Sequence, residues 1–281
     1  MVIPITDPFT LTCVYILTGL IGLAVGSFLN VVIYRLPIGM SLASPPSHCT
    51  SCNYTLKWYD NIPILSYVFL RGKCRKCGSH ISFRYTAVEI ANTVLWLLCA
   101  YMFAETSIVY AVLAMIVCSC CICVFYIDAE TKIINNRFVI TVAVCGVLAI
   151  FCLPELDWPR HVIGGLAGFM LFYLIAVIGT KVYGREAMGG GDIKLAGAAG
   201  LLLGWQKLIM MLLLASVVGS IVMLITRRRD LDAAESDNGQ NRTNSGADMR
   251  EVAFGPYLAA ALAVSLLFGD TVLDWYISLL L

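Results

Sequence analysis

The sequence has little charge. Only 13% of its 281 residues are Asp, Glu, Lys or Arg, whereas 59% are hydrophobic. Soluble globular domains carry about 25% charged residues, so this composition excludes an ordinary soluble domain and indicates an integral membrane protein. The net charge is +1, so the protein lacks the broad positive field that is typical of nucleic-acid binding proteins. We therefore expect the lipid bilayer, and no nucleic acid, as a partner.

Basic residues are also missing from the start of the chain. The first ten residues contain no Lys or Arg, and no small-residue cleavage pattern precedes a polar mature chain. A secretory signal peptide has both features, so we expect no cleavable signal peptide. The first apolar run is predicted to remain as a membrane helix.

Long apolar runs dominate the rest of the sequence. A membrane-spanning helix needs about 20 predominantly apolar residues. The predicted fold class is all-α: a polytopic membrane protein with about eight transmembrane helices and a small zinc-binding cytoplasmic loop domain. The run 195–204 is short for a full crossing unless it begins near Asp192. The eight runs are 11–34, 87–104, 107–127, 138–153, 162–180, 195–204, 208–226 and 252–281.

The polar segments predict how the chain is organised. Residues 1–35 form the first transmembrane helix, residues 36–86 form a cytoplasmic loop domain, and residues 87–281 form a membrane core. Within that core, residues 227–251 are rich in Asp, Asn, Ser and Gly. Such a segment buries little apolar surface, so a flexible cytoplasmic loop is predicted there.

Lys and Arg are distributed unequally between the two sides of the predicted bundle. If the amino terminus lies outside the cytoplasm, 17 of the 19 basic residues fall in segments on the cytoplasmic side. Arg160 and Lys207 are the exceptions. Since cytoplasmic loops carry an excess of Lys and Arg, we predict a periplasmic amino terminus. This orientation places Asp128 and Asp192 together on the cytoplasmic side.

These two aspartates are the main candidates for chemistry. Asp128 closes the third apolar run, and Asp192 follows three glycines at the start of another. A charged side chain at a helix centre in the bilayer costs about 2.5–3.5 kcal/mol on insertion scales, and glycines let another backbone come close. Two adjacent carboxylates share a proton, so one acts as general base on water while the other donates a proton. This is aspartic peptidase chemistry.

Two other interpretations of the aspartates stay open at this point. Each carboxylate could be an interfacial charge that pairs with a neighbouring cation, Lys132 for Asp128 and Lys194 for Asp192. Intramembrane carboxylates also line the proton and ion pathways of transporters.

Four cysteines in the first polar segment form a second candidate site. Cys49 and Cys52 make one Cys-x2-Cys pair, Cys74 and Cys77 make another, and 21 residues separate the pairs. Two such pairs supply the tetrahedral four-sulfur site that suits structural zinc. The reducing cytoplasm disfavours disulfides, and nearby Lys and Arg favour thiolates. We predict a closed zinc site, with free or redox-active thiols as the alternative.

Taken in order, these motifs resemble the type IV prepilin peptidases, the family of prepilin leader peptidases and N-methyltransferases. The resemblance covers nearly the whole chain, and it includes the cysteine quartet in the first cytoplasmic loop. Gly189, Gly191 and Asp192 fit the Gly-x-Gly-Asp motif of membrane aspartic peptidases, and Lys194 stands where the family has its lysine. The other matching stretches are 26–37, 61–67, 84–85, 88–89 and 254–257.

The resemblance implies a function. Members cut the basic leader from type IV prepilins or from secretion pseudopilins at the cytoplasmic face of the bacterial inner membrane. Full-length members then methylate the new amino terminus with S-adenosylmethionine. By position, Asp128 and Asp192 correspond to the catalytic pair. The resemblance places methylation with the first loop, where Gly72, Lys73 and Glu89 are candidate cofactor-binding residues.

The sequence departs from the family at one place near the first aspartate. Asn135 and Asn136 stand where the family often carries a Pro-Asp pair, and we expect cleavage to survive this change. A preflagellin-type peptidase is an alternative, although the cysteine quartet and the long first loop argue against it. The alternatives from another class are a non-enzymatic membrane scaffold and a carboxylate-bearing transporter.

Overall fold

The computed structural model of the protein describes residues 8–152, 157–184, 188–236 and 253–280. Among these residues the regular structure is helical, and β pairing is limited to two isolated bridges in the first loop. The predicted all-α fold class is therefore confirmed. The helices are α1 (Pro8–Arg35), α2 (Leu65–Phe69), α3 (Arg84–Phe103), α4 (Ile108–Thr131), α5 (Asn136–Cys152), α6 (Trp158–Tyr183), α7 (Gly190–Ser236) and α8 (Gly255–Leu280).

The long helices make the chain a multi-pass membrane protein. In the described part of the chain, α1, α3, α4, α6, α7 and α8 are long and apolar enough to cross a membrane, and α5 is a shorter apolar helix. Helix α6 exposes large apolar side chains such as Ile163, Leu166 and Met170. An apolar outer surface of this kind fits contact with lipid. Helix α4 is the most buried of the spans, so it forms the centre of the bundle.

Helix α7 is broken at Gly204 and consists of two arms. Gly204 has φ +77° and ψ 167° inside the helix, a conformation that glycine adopts without steric cost. Gly191 in the first arm lies against Ile134 in the α4–α5 loop, and Gly219 in the second arm lies against Tyr257 in the first turn of α8. These two segments adjoin, so the second arm returns to the end where the first began. The predicted runs 195–204 and 208–226 are these arms.

The first arm packs closely on α6 through glycines. A Cβ atom on Gly164 would lie 2.5 Å from the Gly200 carbonyl oxygen, and one on Gly168 would lie 2.5 Å from the Ala196 carbonyl oxygen. Small residues let transmembrane helices approach to backbone contact. This contact fixes the position of the arm that begins beside Asp192.

The second arm continues as helix to Ser236, ten residues into the segment predicted to be a flexible loop. Residues 227–236 include Leu, Ala, Glu and Arg, which favour helix, and opposite charges spaced three and four residues apart. The rest of the predicted loop, residues 237–251, lies outside the described residues.

The two ends of the bundle differ in character. At one end lie the first loop, the α4–α5 loop and the start of α7. At the other end Lys207 donates to Asp270 at 2.6 Å, and His161 contacts the Leu201 carbonyl at 3.1 Å. The carboxylate of Asp270 is therefore part of an ion pair far from Asp128 and Asp192.

Candidate active site and metal centre

Asp128 lies at the carboxyl end of the central helix α4. Lys132 ends this helix in the left-handed conformation, with φ +56°, and its N–H donates to the Asp128 carbonyl oxygen at 2.8 Å. The Asp128 residue is only 4% exposed. The backbone N–H of Gly255, in the first residue of α8, donates to its carboxylate. The end of α4 and the start of α8 therefore meet at this side chain.

Asp192 lies in the first turn of α7, where the helix dipole favours a negative charge. Its backbone N–H donates to the Gly189 carbonyl oxygen at 3.1 Å. The α4–α5 loop brings it near Asp128, because Ile134 lies against both Gly191 and Gly255. The two carboxylates interact electrostatically. The structure thus brings together the two aspartates that the sequence predicts as a pair.

Neither aspartate is paired with the lysine near it in sequence. Among the described residues, the ion pairs include no Asp128–Lys132 or Asp192–Lys194 contact. Lys194 instead donates to Asn136 Oδ1 at 3.2 Å. Within the same part of the chain, Asp128 Oδ2 and Asp192 Oδ1 are buried without a hydrogen-bond partner. Buried polar atoms of this kind usually mark a functional site or a bound water.

The glycines of the motif differ in the space around them. A Cβ on Gly191 would lie 2.8 Å from Ile134 Cβ, and one on Gly189 would lie 3.3 Å from Asp192 Oδ2, whereas Gly190 has open space. Gly191 is therefore the position where the close approach of the α4–α5 loop requires glycine. The middle position of the motif carries no such steric requirement.

The four cysteines of the first loop form one cluster. Their sulfur atoms all lie within 4.8 Å of one another, with Cys49 and Cys77 at 3.9 Å and Cys52 and Cys74 at 4.0 Å. A tetrahedral site with zinc–sulfur bonds of about 2.3 Å requires sulfur atoms about 3.8 Å apart. The cluster therefore has the size of a four-thiolate metal site, and the four cysteines could hold a metal ion.

The two Cys-x2-Cys turns have the same local structure. The N–H of Cys49 donates to the Tyr54 carbonyl, and the N–H of Cys74 donates to the Ser79 carbonyl. The residue after each second cysteine has a positive φ, Asn53 at +54° and Gly78 at +72°. Such a left-handed residue closes each turn so that both sulfur atoms point to the same side.

Hydrogen bonds divide the thiols into two kinds. The N–H of Ser51, with help from Ser79, lowers the pKa of Cys49 to about 6. The Ser79 hydroxyl likewise lowers the pKa of Cys77. At Cys52 the N–H of Tyr54 favours the thiolate, but burial and the other three thiols outweigh it and raise the pKa to about 11. A bound cation would favour the thiolate at all four cysteines.

An ion pair between the buried Asp60 and the half-exposed Arg75 stabilises this loop. Arg75 Nε donates to Asp60 Oδ1 at 2.6 Å, and Tyr54 donates to Asp60 Oδ2 at 3.1 Å. Burial opposes the charge of Asp60, but the hydrogen bonds from Arg75, Lys57 and Tyr54 outweigh burial and hold the pKa of Asp60 below its usual value. Arg75 follows Cys74 directly, so this ion pair orients the second cysteine turn.

A cavity of about 390 Å³ separates the cysteine loop from the membrane helices α1 and α3. Glu89 lines it, and its Oε2 accepts from the Ile64 N–H at 2.8 Å. The other two predicted cofactor residues lie outside its lining. Gly72 has φ +67° and packs against the Tyr67 hydroxyl, and Lys73 forms a backbone bridge with His80. Of the three predicted cofactor residues, only Glu89 therefore lines the cavity.

Two protein-family models match the sequence. Residues 20–103 match the bacterial peptidase A24 N-terminal domain, and residues 115–224 match the type IV leader peptidase family. A curated relative from Aeromonas salmonicida, "Prepilin leader peptidase/N-methyltransferase", is 32% identical, and the alignment covers 94% of each chain. The chain belongs to the type IV leader peptidase family.

Two further relatives carry the same name. The protein from Myxococcus xanthus is 37% identical over 73% of this chain, although the chain spans only 61% of that relative's length. The protein from Klebsiella pneumoniae is 37% identical over 69% of this chain and 87% of its own. No solved structure matches the chain. The resemblance predicted from the motifs is therefore confirmed, and an N-methyltransferase of this kind implies use of S-adenosylmethionine.

The structure gives roles to two residues that the sequence offered only as part of family matches, Arg84 in the stretch 84–85 and Gly255 in the stretch 254–257. Arg84, at the start of α3, forms an ion pair with Glu130 and lies over the Tyr126 ring at 4.7 Å. This contact joins the end of the cysteine loop to the helix that carries Asp128. Gly255 is the second addition. Its only sequence signal is the Phe254–Tyr257 match to the family, which does not reveal the contact with Asp128.

Proposed function

We propose that this family member is a bacterial inner-membrane aspartic endopeptidase that removes the leader peptide from type IV prepilins or secretion pseudopilins. It then N-methylates the new amino-terminal residue. The observation that carries the peptidase half is the meeting of the buried Asp128 with the partly buried Asp192, two carboxylates without cation partners in the described part of the chain.

The carboxylate pair supplies acid and base together. Two close carboxylates hold one proton between them, since both do not ionise easily at short range. The ionised member removes a proton from water as the water oxygen attacks the scissile carbonyl carbon, and the protonated member donates to the carbonyl oxygen. When the carbon–nitrogen bond breaks, the leaving nitrogen takes a proton. Asp128 and Asp192 share these roles.

The position of the pair suits a substrate that lies partly in the membrane. Both carboxylates lie at the bundle end that holds the cysteine loop, and the basic residues of the chain gather in the segments at that end. We assign this end to the cytoplasmic face, with the amino terminus in the periplasm. A basic leader would stay among the anionic lipids of that face while its apolar stem lies in the bilayer.

Zinc fits the four cysteines. A closed four-thiolate site binds structural zinc, and Cys49, Cys52, Cys74 and Cys77 have the required spacing. The ion would hold the two turns of the loop together, and it has no role in cleavage. S-adenosylmethionine, when bound, supplies the methyl group, and the new amino terminus loses a proton as its nitrogen accepts that group.

Prepilin cleavage in membranes tests the peptidase assignment. We expect wild type to release the leader, and Asp128→Asn or Asp192→Asn to lose at least ~100-fold in cleavage rate, because each removes one member of the pair. Asp274→Asn is the matched control, since Asp274 is an exposed acid on α8. Mass spectrometry reads the size and methylation of the product. Normal cleavage by either active-site variant would contradict the peptidase assignment and favour the scaffold or transporter interpretation.

A further inference from the structure

The cavity between the cysteine loop and α1 and α3 contains an unbalanced buried charge. Two basic and two acidic side chains line it, Arg35, Arg75, Asp60 and Glu89, together with the zinc-site residues Cys49 and Cys74. Glu89 is 7% exposed. Its partners are the Ile64 N–H and the Ser27 hydroxyl, and none of the ion pairs of the described residues involves it. A buried carboxylate without a counter-charge is costly, so a cation from outside the chain would stabilise it.

The other charged groups of the cavity are already satisfied by the protein. Arg35 donates to the Ser41 carbonyl at 3.0 Å and to the Pro45 carbonyl at 2.6 Å. Asp60 and Arg75 pair with each other at 2.6 Å. A metal ion bound by the cysteine cluster would neutralise the thiolates of Cys49 and Cys74. Glu89 is therefore the charged group of the cavity wall that is left to meet a ligand, and its charge selects a positive one.

The remaining wall suits a flat, partly apolar ligand. Tyr34, Tyr67 and Tyr85 line the cavity, and aromatic faces stack on planar rings and attract cations. The volume of about 390 Å³ lies within the range of about 300–1,000 Å³ typical of small-molecule sites. A carboxylate and several tyrosines around such a space match a ligand that combines a heterocyclic ring with a positive charge.

The cavity also lies close to the proposed cleavage site. Tyr85 lines the cavity, and the preceding residue Arg84 pairs with Glu130, two residues after Asp128. The wall of the cavity and the end of α4 are therefore joined directly. A peptide cut at the aspartate pair would have a short distance to move its new amino terminus to the cavity.

We propose that this cavity binds S-adenosylmethionine, with the sulfonium and ammonium groups of the cofactor toward Glu89 and its adenine against the tyrosines. The inference rests on the proposed methyltransferase function, and it assigns the cofactor to Glu89 and the cavity and not to Gly72 or Lys73. Gly26 contributes by its size. A Cβ there would lie 2.8 Å from Glu89 Cα, so glycine lets α1 approach α3 beside Glu89.

Equilibrium binding of radiolabelled S-adenosylmethionine to the full-length, zinc-loaded protein in detergent tests the assignment. Glu89→Gln keeps the shape and an oxygen for the Ile64 N–H but removes the charge. We expect it to weaken binding at least ~10-fold, as for the loss of one desolvated charge pair. Glu105→Gln, an exposed acid in the α3–α4 connection, should bind like wild type. Equal affinities of wild type and Glu89→Gln would overturn the proposal.

Ultraviolet cross-linking of labelled S-adenosylmethionine to wild type gives an answer that does not depend on how well a variant folds. Peptide mapping should find the label in residues 27–35 or 60–89. A label confined to residues 128–136 or 188–219 would overturn the proposal.

Leader cleavage and product methylation, measured on the same preparation, distinguish a failure of the proposed function from a failure of the cavity assignment. A methylated product together with a label outside the cavity would leave the proposed function standing and remove the cavity assignment. Cleavage without methylation or cofactor binding would overturn the cavity assignment together with the methyltransferase half of the proposed function. The processed substrate peptide could displace the cross-linked cofactor label while Glu89→Gln still binds the cofactor normally. That combination would mean that the Glu89 carboxylate binds the peptide amine, and it would overturn the proposal.

Discussion

Gly255 touches the carboxylate of Asp128. A Cβ atom at Gly255 would lie 2.5 Å from Asp128 Oδ2, and the Gly255 N–H donates to the same carboxylate. The first residue of α8 therefore forms part of the wall around the proposed catalytic pair. This contact joins two segments that lie at opposite ends of the peptidase core in sequence.

We expect Gly255→Ala to reduce leader cleavage at least ~10-fold, because the added methyl group must displace the Asp128 side chain or the start of α8, and small misplacements of reacting groups are costly. Initial cleavage rates at saturating prepilin measure the effect. Gly19→Ala is the control, since a Cβ there comes no closer than 3.9 Å to Leu97. Wild-type rates in Gly255→Ala would show that α8 does not shape the site.

The glycines of the Gly-x-Gly-Asp motif give a second prediction. Gly191→Ala places a methyl group 2.8 Å from Ile134 Cβ, whereas Gly190→Ala meets open space. We expect Gly191→Ala to lose at least ~10-fold in cleavage rate and Gly190→Ala to stay within about twofold of wild type, since packed interiors do not absorb an extra methyl group freely. The two variants differ by one position, so equal rates would contradict the steric argument.

Metal removal should destabilise the first loop. We expect one equivalent of zinc per chain by elemental analysis, and a lower midpoint of thermal unfolding after chelation or in Cys74→Ser, because binding energy of a structural zinc is folding energy. Cys152→Ser, at an exposed free cysteine, should keep the metal and the midpoint of wild type. A full zinc content in Cys74→Ser would remove this cysteine from the ligand set.

The ion pair of the loop predicts a pH dependence. The folded-state pKa of Asp60 lies below its unfolded value, so its stabilisation is present above the unfolded pKa of about 3.9 and is lost as pH falls through the folded pKa. We expect Asp60→Asn to lower the thermal midpoint at pH 7, and the gap from wild type to shrink below pH 4. Arg75 is 48% exposed, so solvent screening keeps the effect modest. A gap that widens in acid would contradict this sign.

Much of the fold follows from the order of apolar and polar residues. The eight apolar runs match the described long helices when the two arms of α7 are counted separately, because backbone groups in lipid must bond within their own helix. The pairing of Asp128 with Asp192 was also predictable from depth and orientation. The segment predicted to be a flexible loop from residue 227 is instead helical as far as Ser236, because helix-favouring residues extend α7.

Side-chain partners at the site could not be predicted in the same way. Lys194 is the basic residue nearest to Asp192 in sequence, yet its ammonium group donates to Asn136. Gly72 and Lys73 are near the cysteines in sequence, yet only Glu89 of the three candidates lines the cavity. These outcomes depend on which helices adjoin, and sequence spacing within one segment does not carry that information.

The sequence by itself determined the all-α membrane class, the cysteine quartet with its metal-site spacing and the family motifs. It also predicted which two aspartates form a pair, Asp128 and Asp192. These are local properties, set by hydropathy, by the donor chemistry of thiols and by the scarcity of charge in apolar runs. Only the tertiary structure decided that Gly255 touches Asp128, that Arg84 joins the loop to α4, and that Glu89 faces a cavity without a counter-charge. Contacts between distant segments depend on how the helices pack, and packing is a property of the whole chain.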